Sequence, residues 1–184
     1  MGDLKLEKFA SVHGRFQPFH NGHLNYVRAA LQHCERLYVG VTQVERNKMT
    51  YYKAAPHRSV LDANPLSFFE RKGLIEYTLE KEGINSCSVI PFPIEREDSL
   101  TEYFPDGGVC YTTLHSEWNA VKIEILRKVG YDVRVLENPD QSDAPRAAAT
   151  EIRRLIRDND AKWETLVAPS TAAYIQDNLM HRFA

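Results

Sequence analysis

The sequence has no hydrophobic run long enough to span a bilayer, no internal repeat and no low-complexity tract. It also lacks an excess of either charge. Lys and Arg total 23 against 25 Asp and Glu, and a net charge of -2 supplies no global field that would hold a nucleic acid polymer or an anionic membrane. Any anionic ligand must therefore meet a local cluster of cations. Cysteine is scarce: Cys34, Cys87 and Cys110 are far apart and include no Cys-x-x-Cys pair. That argues against a disulfide framework and against a structural zinc site. The first residues, through Lys8, carry charges of both signs and no apolar stretch, so no secretory signal is expected and a soluble, cytoplasmic protein is.

What is present fits one ordinary globular domain spanning residues 1–184, with 43% hydrophobic residues to build a continuous core. Phe9 to His13 reads as a short buried strand stopped by Gly14, after which Leu24, Val27, Leu31 and Cys34 recur at helical spacing. Leu37 to Thr42 follows as a second strand, and the stretch forms a βαβ unit whose strands should be parallel. Ser67-Phe68-Phe69-Glu70 has the spacing of a capping box at the start of an amphipathic helix running to Gly83. Strands are expected at Ser88–Pro91, Val109–Thr112 and Val133–Leu136, and helices over Glu117–Val129, from near Thr150 and from near Thr171. The fold class is α/β: a doubly wound, Rossmann-like parallel sheet of about five strands. Between residues 43 and 64 the periodicity lapses into polar, basic and aromatic residues, as expected of a lid or insertion.

The chemistry concentrates at Gly14-Arg15-Phe16-Gln17-Pro18-Phe19-His20-Asn21-Gly22-His23, which links the first strand to the first helix. Free backbone N–H groups and the helix dipole at such a start favour phosphate, and Gly22 lets the backbone approach it closely. His20 and His23, three positions apart, can point to one side and donate to phosphate oxygens, with Arg15 adding a fixed positive charge. Taken alone, a histidine pair could instead hold a metal or pack the helix start. No third ligand lies nearby, so no protein metal site is expected. His13, at the strand end, reads as an ordinary satisfied core histidine.

These ten residues resemble the Gly-x-Phe-x-Pro-x-His-x-Gly-His signature of the nucleotidylyltransferase superfamily. Ala148-Ala149-Thr150-Glu151-Ile152-Arg153 resembles the second signature of that family, with Ala148 or Ala149 where a hydroxyl residue often stands. The resemblance implies that His20, His23, Arg15 and Arg153 carry the transfer. It also implies nucleotide binding by Gly14, Arg15, Phe16, Gln17, His20, Gly22, His23, Thr150, Ile152 and Arg153, with Thr150 capping the late helix and Arg153 facing the β- and γ-phosphates. Arg146, Arg154 and Arg157 read as solvated surface charges.

Asn64-Pro65-Leu66-Ser67-Phe68-Phe69-Glu70-Arg71, Gly130-Tyr131-Asp132-Val133 and Thr150-Glu151-Ile152-Arg153-Arg154 are similar to segments of archaeal-type nicotinamide-mononucleotide adenylyltransferases. That likeness implies a nucleoside triphosphate, ATP by preference, a small phosphorylated acceptor such as nicotinamide mononucleotide, Mg2+ bound through the phosphates, release of pyrophosphate and a place in NAD biosynthesis. Thr112-Thr113-Leu114-His115 stands where those enzymes carry a Ser-Gly-Asn turn. The family also includes cytidylyltransferases acting on sugar, alcohol or phosphonate-type phosphates, and both readings stay open beside a non-catalytic nucleotide sensor. Acceptor contacts are expected from Arg46, Lys53, Arg58, Arg71 and Trp118; His57 and Tyr51 or Tyr52 could join a closing lid. Arg71 could equally pair with Glu70 or Glu76 on a helix surface. Base recognition is expected from backbone groups near Val133–Asn138 and Thr150, and a homo-oligomer is compatible with the sequence.

Overall fold

A computed structural model describes residues 6–114, 117–137 and 149–183. His115, Arg146, Ala148 and Asn138, the last residue of the Val133–Asn138 base-recognition stretch, lie outside the described residues. Five parallel strands, β1 (Ala10–Gly14), β2 (Leu37–Val41), β3 (Cys87–Pro91), β4 (Val109–Thr112) and β5 (Asp132–Val135), form one sheet in the order β3-β2-β1-β4-β5. Around them run α1 (Asn21–Leu31), α2 (Phe68–Lys81), α3 (Glu117–Val129), α4 (Ala149–Arg157) and α5 (Pro169–Asn178). None of the described helices is long and apolar enough to cross a membrane.

The strand alternation sorts the core into two layers. Ala10, Val12, Val39 and Tyr111 face one side, where Leu24 and Val27 of α1, Leu74 and Ile75 of α2, Ile152 of α4 and Ile175 of α5 close over them. The other side carries Cys110 and Val133, covered by Trp118, Ile123 and Leu126 of α3 and by Phe92 and Phe104 from the β3–β4 connection. Phe92 explains Gly40: a Cβ there would stand 2.7 Å from the Phe92 side chain, so only a strand without one admits that ring. α2 begins with the anticipated capping box, Ser67 accepting from the Glu70 backbone while the Glu70 carboxylate accepts from that of Ser67.

The strand order reverses between β1 and β4, the place where ligands enter doubly wound folds. Pairing of β1 with β2 continues to Gly14↔Val41, whereas pairing of β1 with β4 covers Ala10↔Val109 and Ser11↔Cys110. Beyond Ser11 the strands part. The freed Tyr111 carbonyl accepts a hydrogen bond of 2.5 Å from the Tyr26 hydroxyl of α1, so the crevice opens without leaving that buried acceptor bare.

Candidate active site

Both switch-point loops leave their strands through non-glycine residues in the left-handed region: Phe16 after β1 (φ 53°) and Gln43 after β2 (φ 50°). One buried guanidinium holds them. Arg71 of α2 donates to the carbonyls of Arg15, Thr42 and Gln43 at 2.7–2.9 Å and to Ser67 at 3.2 Å. It is fully buried and therefore forms none of the surface pairs that the sequence allowed. Glu70 instead serves Ser67 and Arg182, and Glu76 pairs with Lys72. Arg71 thus shapes the site from behind, through the backbone of both loops.

The motif residues divide by depth. The Phe16 ring is buried, and a Cβ on Gly14 would lie 2.8 Å from it, so Gly14 makes room for that ring. The Gln17 side chain is spent on both backbone groups of Leu66, at 2.9 and 3.0 Å, while its own carbonyl accepts from Arg153 at 2.7 Å. Ile152 is a core residue with no exposed surface. The side chains of Phe16, Gln17 and Ile152 are thus spent on packing and backbone contacts, which leaves backbone groups for the nucleotide binding expected of these residues.

His20 and His23 lie at the start of α1, His20 as its N-cap, with rings stacked 3.7 Å apart. The spacing of three along a helix start is what brings the rings together. His23 is wedged edge-on against Phe16, with ring centroids 4.8 Å apart, and stacks on Phe19. Its buried Nδ1 has no hydrogen-bond partner among the described residues. Burial, followed by the charges of His20, Arg15 and Arg58, pushes its pKa well below the ordinary value of 6.5 and keeps the ring neutral. α1 has no acidic side chain in its first turn, which leaves its positive end for a ligand.

Guanidinium groups surround the histidines. Arg15 donates to Asn64 Oδ1 at 3.2 Å and has its pKa lowered to about 10 by burial and by Arg153. Arg58 lies 4.6 Å above the Trp118 ring and is held down to about 9 by burial and by Arg15. Arg153 is lowered by burial and by Arg157. Arg15, Arg46, Arg58 and Arg153 take part in no ion pair among the described residues, whereas Arg28, Arg134, Arg154 and Arg182 do. Glu95, which acts on Arg58 and Arg71, accepts from the Gln43 and Val44 amides. A cluster of cations that depress one another is an arrangement awaiting an anion.

Thr150 lies in the first turn of α4 and accepts from Arg153 at 3.2 Å. Past Arg153 opens a cavity of about 230 Å³ lined by Arg46, Arg157, His181 and Arg182 and by one carboxylate, Asp62. His181 and Arg182 have no signature around them in the sequence, and only the fold of the C-terminal segment brings them here. Arg154 stays outside, paired with Glu151 and Asp158. Lys53 is exposed and has no hydrogen bond or ion pair among the described residues, so it stands apart from the cluster. Trp118 is buried under Arg58 and Tyr52 on the α3 side. The sequence reading missed the condition of His13: its Nε2 bonds Ser11 at 2.8 Å, but its buried Nδ1 is unpartnered, so it is not the satisfied core histidine expected.

Residues 12–63 match the Cytidylyltransferase-like family model. The chain is 30% identical over 168 residues to phosphonoformate cytidylyltransferase of Streptomyces viridochromogenes, covering 90% of this chain and 89% of that one. It is 28% identical to nicotinamide-nucleotide adenylyltransferase 1 of Sulfolobus acidocaldarius over 89% of this chain and 86% of the relative. Among solved structures, a bifunctional NMN adenylyltransferase/ADP ribose pyrophosphatase from Francisella tularensis, complexed with AMP and a manganese ion, superposes with a TM-score of 0.63 at 17% identity. That match covers 97% of this chain and 52% of the bifunctional one, so this chain spans about half its length.

Proposed function

Because the chain belongs to the nucleotidylyltransferase superfamily and is a nucleotidyltransferase, we propose that it transfers a cytidylyl group from CTP to a compact, multiply anionic acceptor of the phosphonoformate kind, releasing pyrophosphate. The observation that carries the choice of acceptor is the position of Arg58. Its guanidinium covers the face of Trp118 on the α3 side of the switch point, a ring already buried against Tyr52. Nicotinamide mononucleotide carries a cationic pyridinium, which this arginine would repel, whereas a small polyanion is attracted. The choice of CTP is supported by the Streptomyces relative.

In this reading the starts of α1 and α4 converge on the triphosphate. Arg153 and the cavity beyond it, with Arg46 and Arg157, take the β- and γ-phosphates. An unprotonated acceptor oxygen attacks the α-phosphorus as the bond to the bridging oxygen breaks, and the electron pair leaves with pyrophosphate. No proton need move. His20, His23 and Arg15 stabilise charge on the non-bridging α-oxygens, the chief help that such a transfer requires. The described residues contain no group of His, Cys, Asp and Glu arranged to hold an ion. Mg2+ would enter on the phosphate oxygens, where it neutralises charge on the leaving group.

A second reading, ATP with nicotinamide mononucleotide giving NAD, is favoured by the Sulfolobus relative and by the Asn64 to Arg71 segment. The sensor alternative has no such support, since the relatives are named as transferases. Pyrophosphate release from each of the common nucleoside triphosphates with Mg2+, against phosphonoformate and nicotinamide mononucleotide, separates the readings. CTP with phosphonoformate is expected to give the higher kcat/KM by at least about tenfold. A preference for ATP with nicotinamide mononucleotide would replace the first reading by the second.

A further inference from the structure

One turn beyond Trp118, on the same face of α3, Lys122 points into the protein and is 6% exposed. Lysine is rarely buried without a carboxylate, because the desolvation of an ammonium needs a compensating partner. Lys122 has none. Among the described residues it takes part in no ion pair and no side-chain hydrogen bond, and the titratable groups that act on it are Arg58 and the Cys110 thiol, which burial keeps neutral. Its own charge in turn bears on His13, whose buried Nδ1 has no hydrogen-bond partner among the described residues. The corner is built: the Ser11 hydroxyl ties His13 Nε2 at 2.8 Å and Cys110 Sγ at 3.3 Å, and the His13 ring lies 4.2 Å from that of Phe92. It lies where β1 and β4 part.

We propose that Lys122 is the specificity-determining residue for the acceptor, binding a carboxylate carried beside the phosphoryl or phosphonyl group, with His13 Nδ1 as its neighbour in that subsite. The assignment rests on the reading of the acceptor as a small polyanion. Arg58 holds the reacting phosphonyl group, and Lys122 holds the second charge a carbon away. Among the described residues no carboxylate answers Lys122, so the substrate brings it. An acceptor with a single anionic group leaves a buried cation unpaired and is discriminated against on that account.

The test compares phosphonoformate with methylphosphonate, which lacks the carboxylate, in wild type and Lys122→Met. Affinity is measured by calorimetry, and turnover with CTP and Mg2+ is measured by pyrophosphate release. Wild type is expected to prefer phosphonoformate, and the variant to lose at least about thirtyfold of that preference in Kd and KM, with little of the loss in kcat. Burial and Arg58 lower the Lys122 pKa to about 7, so the fold disfavours its ammonium, and a variant without it should melt no lower than wild type at pH 7. Lys122→Gln, of similar length and polar, serves if the first variant does not fold. An unchanged preference in either folded variant overturns the assignment. If wild type binds phosphonoformate with Lys122-dependent selectivity but transfers no cytidylyl group to it, the subsite stands and the proposed reaction falls.

Discussion

His23 shows how much of a residue's chemistry is set by what surrounds it. Three positions from His20 at a helix start, it is stacked on one ring and wedged by another, and neighbouring cations keep it neutral. A neutral imidazole in that place donates one hydrogen bond, and an arriving triphosphate would raise its pKa by cancelling the charges that lowered it. Replacing His23 by Asn is expected to lower kcat by about two to three orders of magnitude, as for loss of one donor to a developing oxyanion. Far-ultraviolet circular dichroism and the melting temperature should stay near those of wild type. A folded variant with turnover within a factor of about three of wild type would remove His23 from the reaction.

Arg71 looks like a phosphate ligand or a surface charge in the sequence, yet it acts on elements. From α2 it ties the loop after β1 to the loop after β2, each of which turns through a left-handed residue beside the carbonyl it offers. Arg71→Met would leave buried carbonyls without donors, a loss of about 3 kcal/mol or more, or roughly 6–12 °C in Tm for a chain of this size. Urea unfolding should show the loss in the midpoint. Arg71→Lys should restore little, since an ammonium cannot span the same acceptors. A midpoint shift under about 0.5 kcal/mol in the Met variant would mean that the loops hold themselves.

At the scale of the molecule, burial of neutral histidines makes stability depend on pH. His13 and His23 both lie well below their ordinary pKa of 6.5 in the folded state, by burial first and by nearby cations second. Below pH 6.5 the unfolded chain therefore binds protons that the native state refuses. The sign follows: stability rises with pH across this range and falls as pH drops through 6.5, by about 1 kcal/mol per pH unit for each histidine until its folded pKa is reached. Urea midpoints measured at pH 7.5 and 5.5 should differ accordingly, and His13→Asn should remove part of the difference. Equal midpoints would show that neither histidine is held neutral.

The sequence by itself determined the parallel α/β order, the capping box of α2 and the place of the Gly14 to His23 segment, because these depend on local periodicity and turn chemistry that neighbours in the chain supply. The likeness at Thr150 to Arg153 marked the second helix start for the same reason. Only the tertiary structure decided which polar side chains face the crevice and which are spent on the backbone. Gln17 and Arg71 are consumed by carbonyl and amide groups tens of residues away, which no spacing rule reveals. Conversely, His181 and Arg182 join Arg153 around one cavity because the C-terminal segment folds back over the site. Lys122 reads in the sequence as one more helix cation. Its burial without a carboxylate among the described residues follows from the packing of α3 on the sheet beside the open corner between β1 and β4, a relation of distance that the linear chain does not encode.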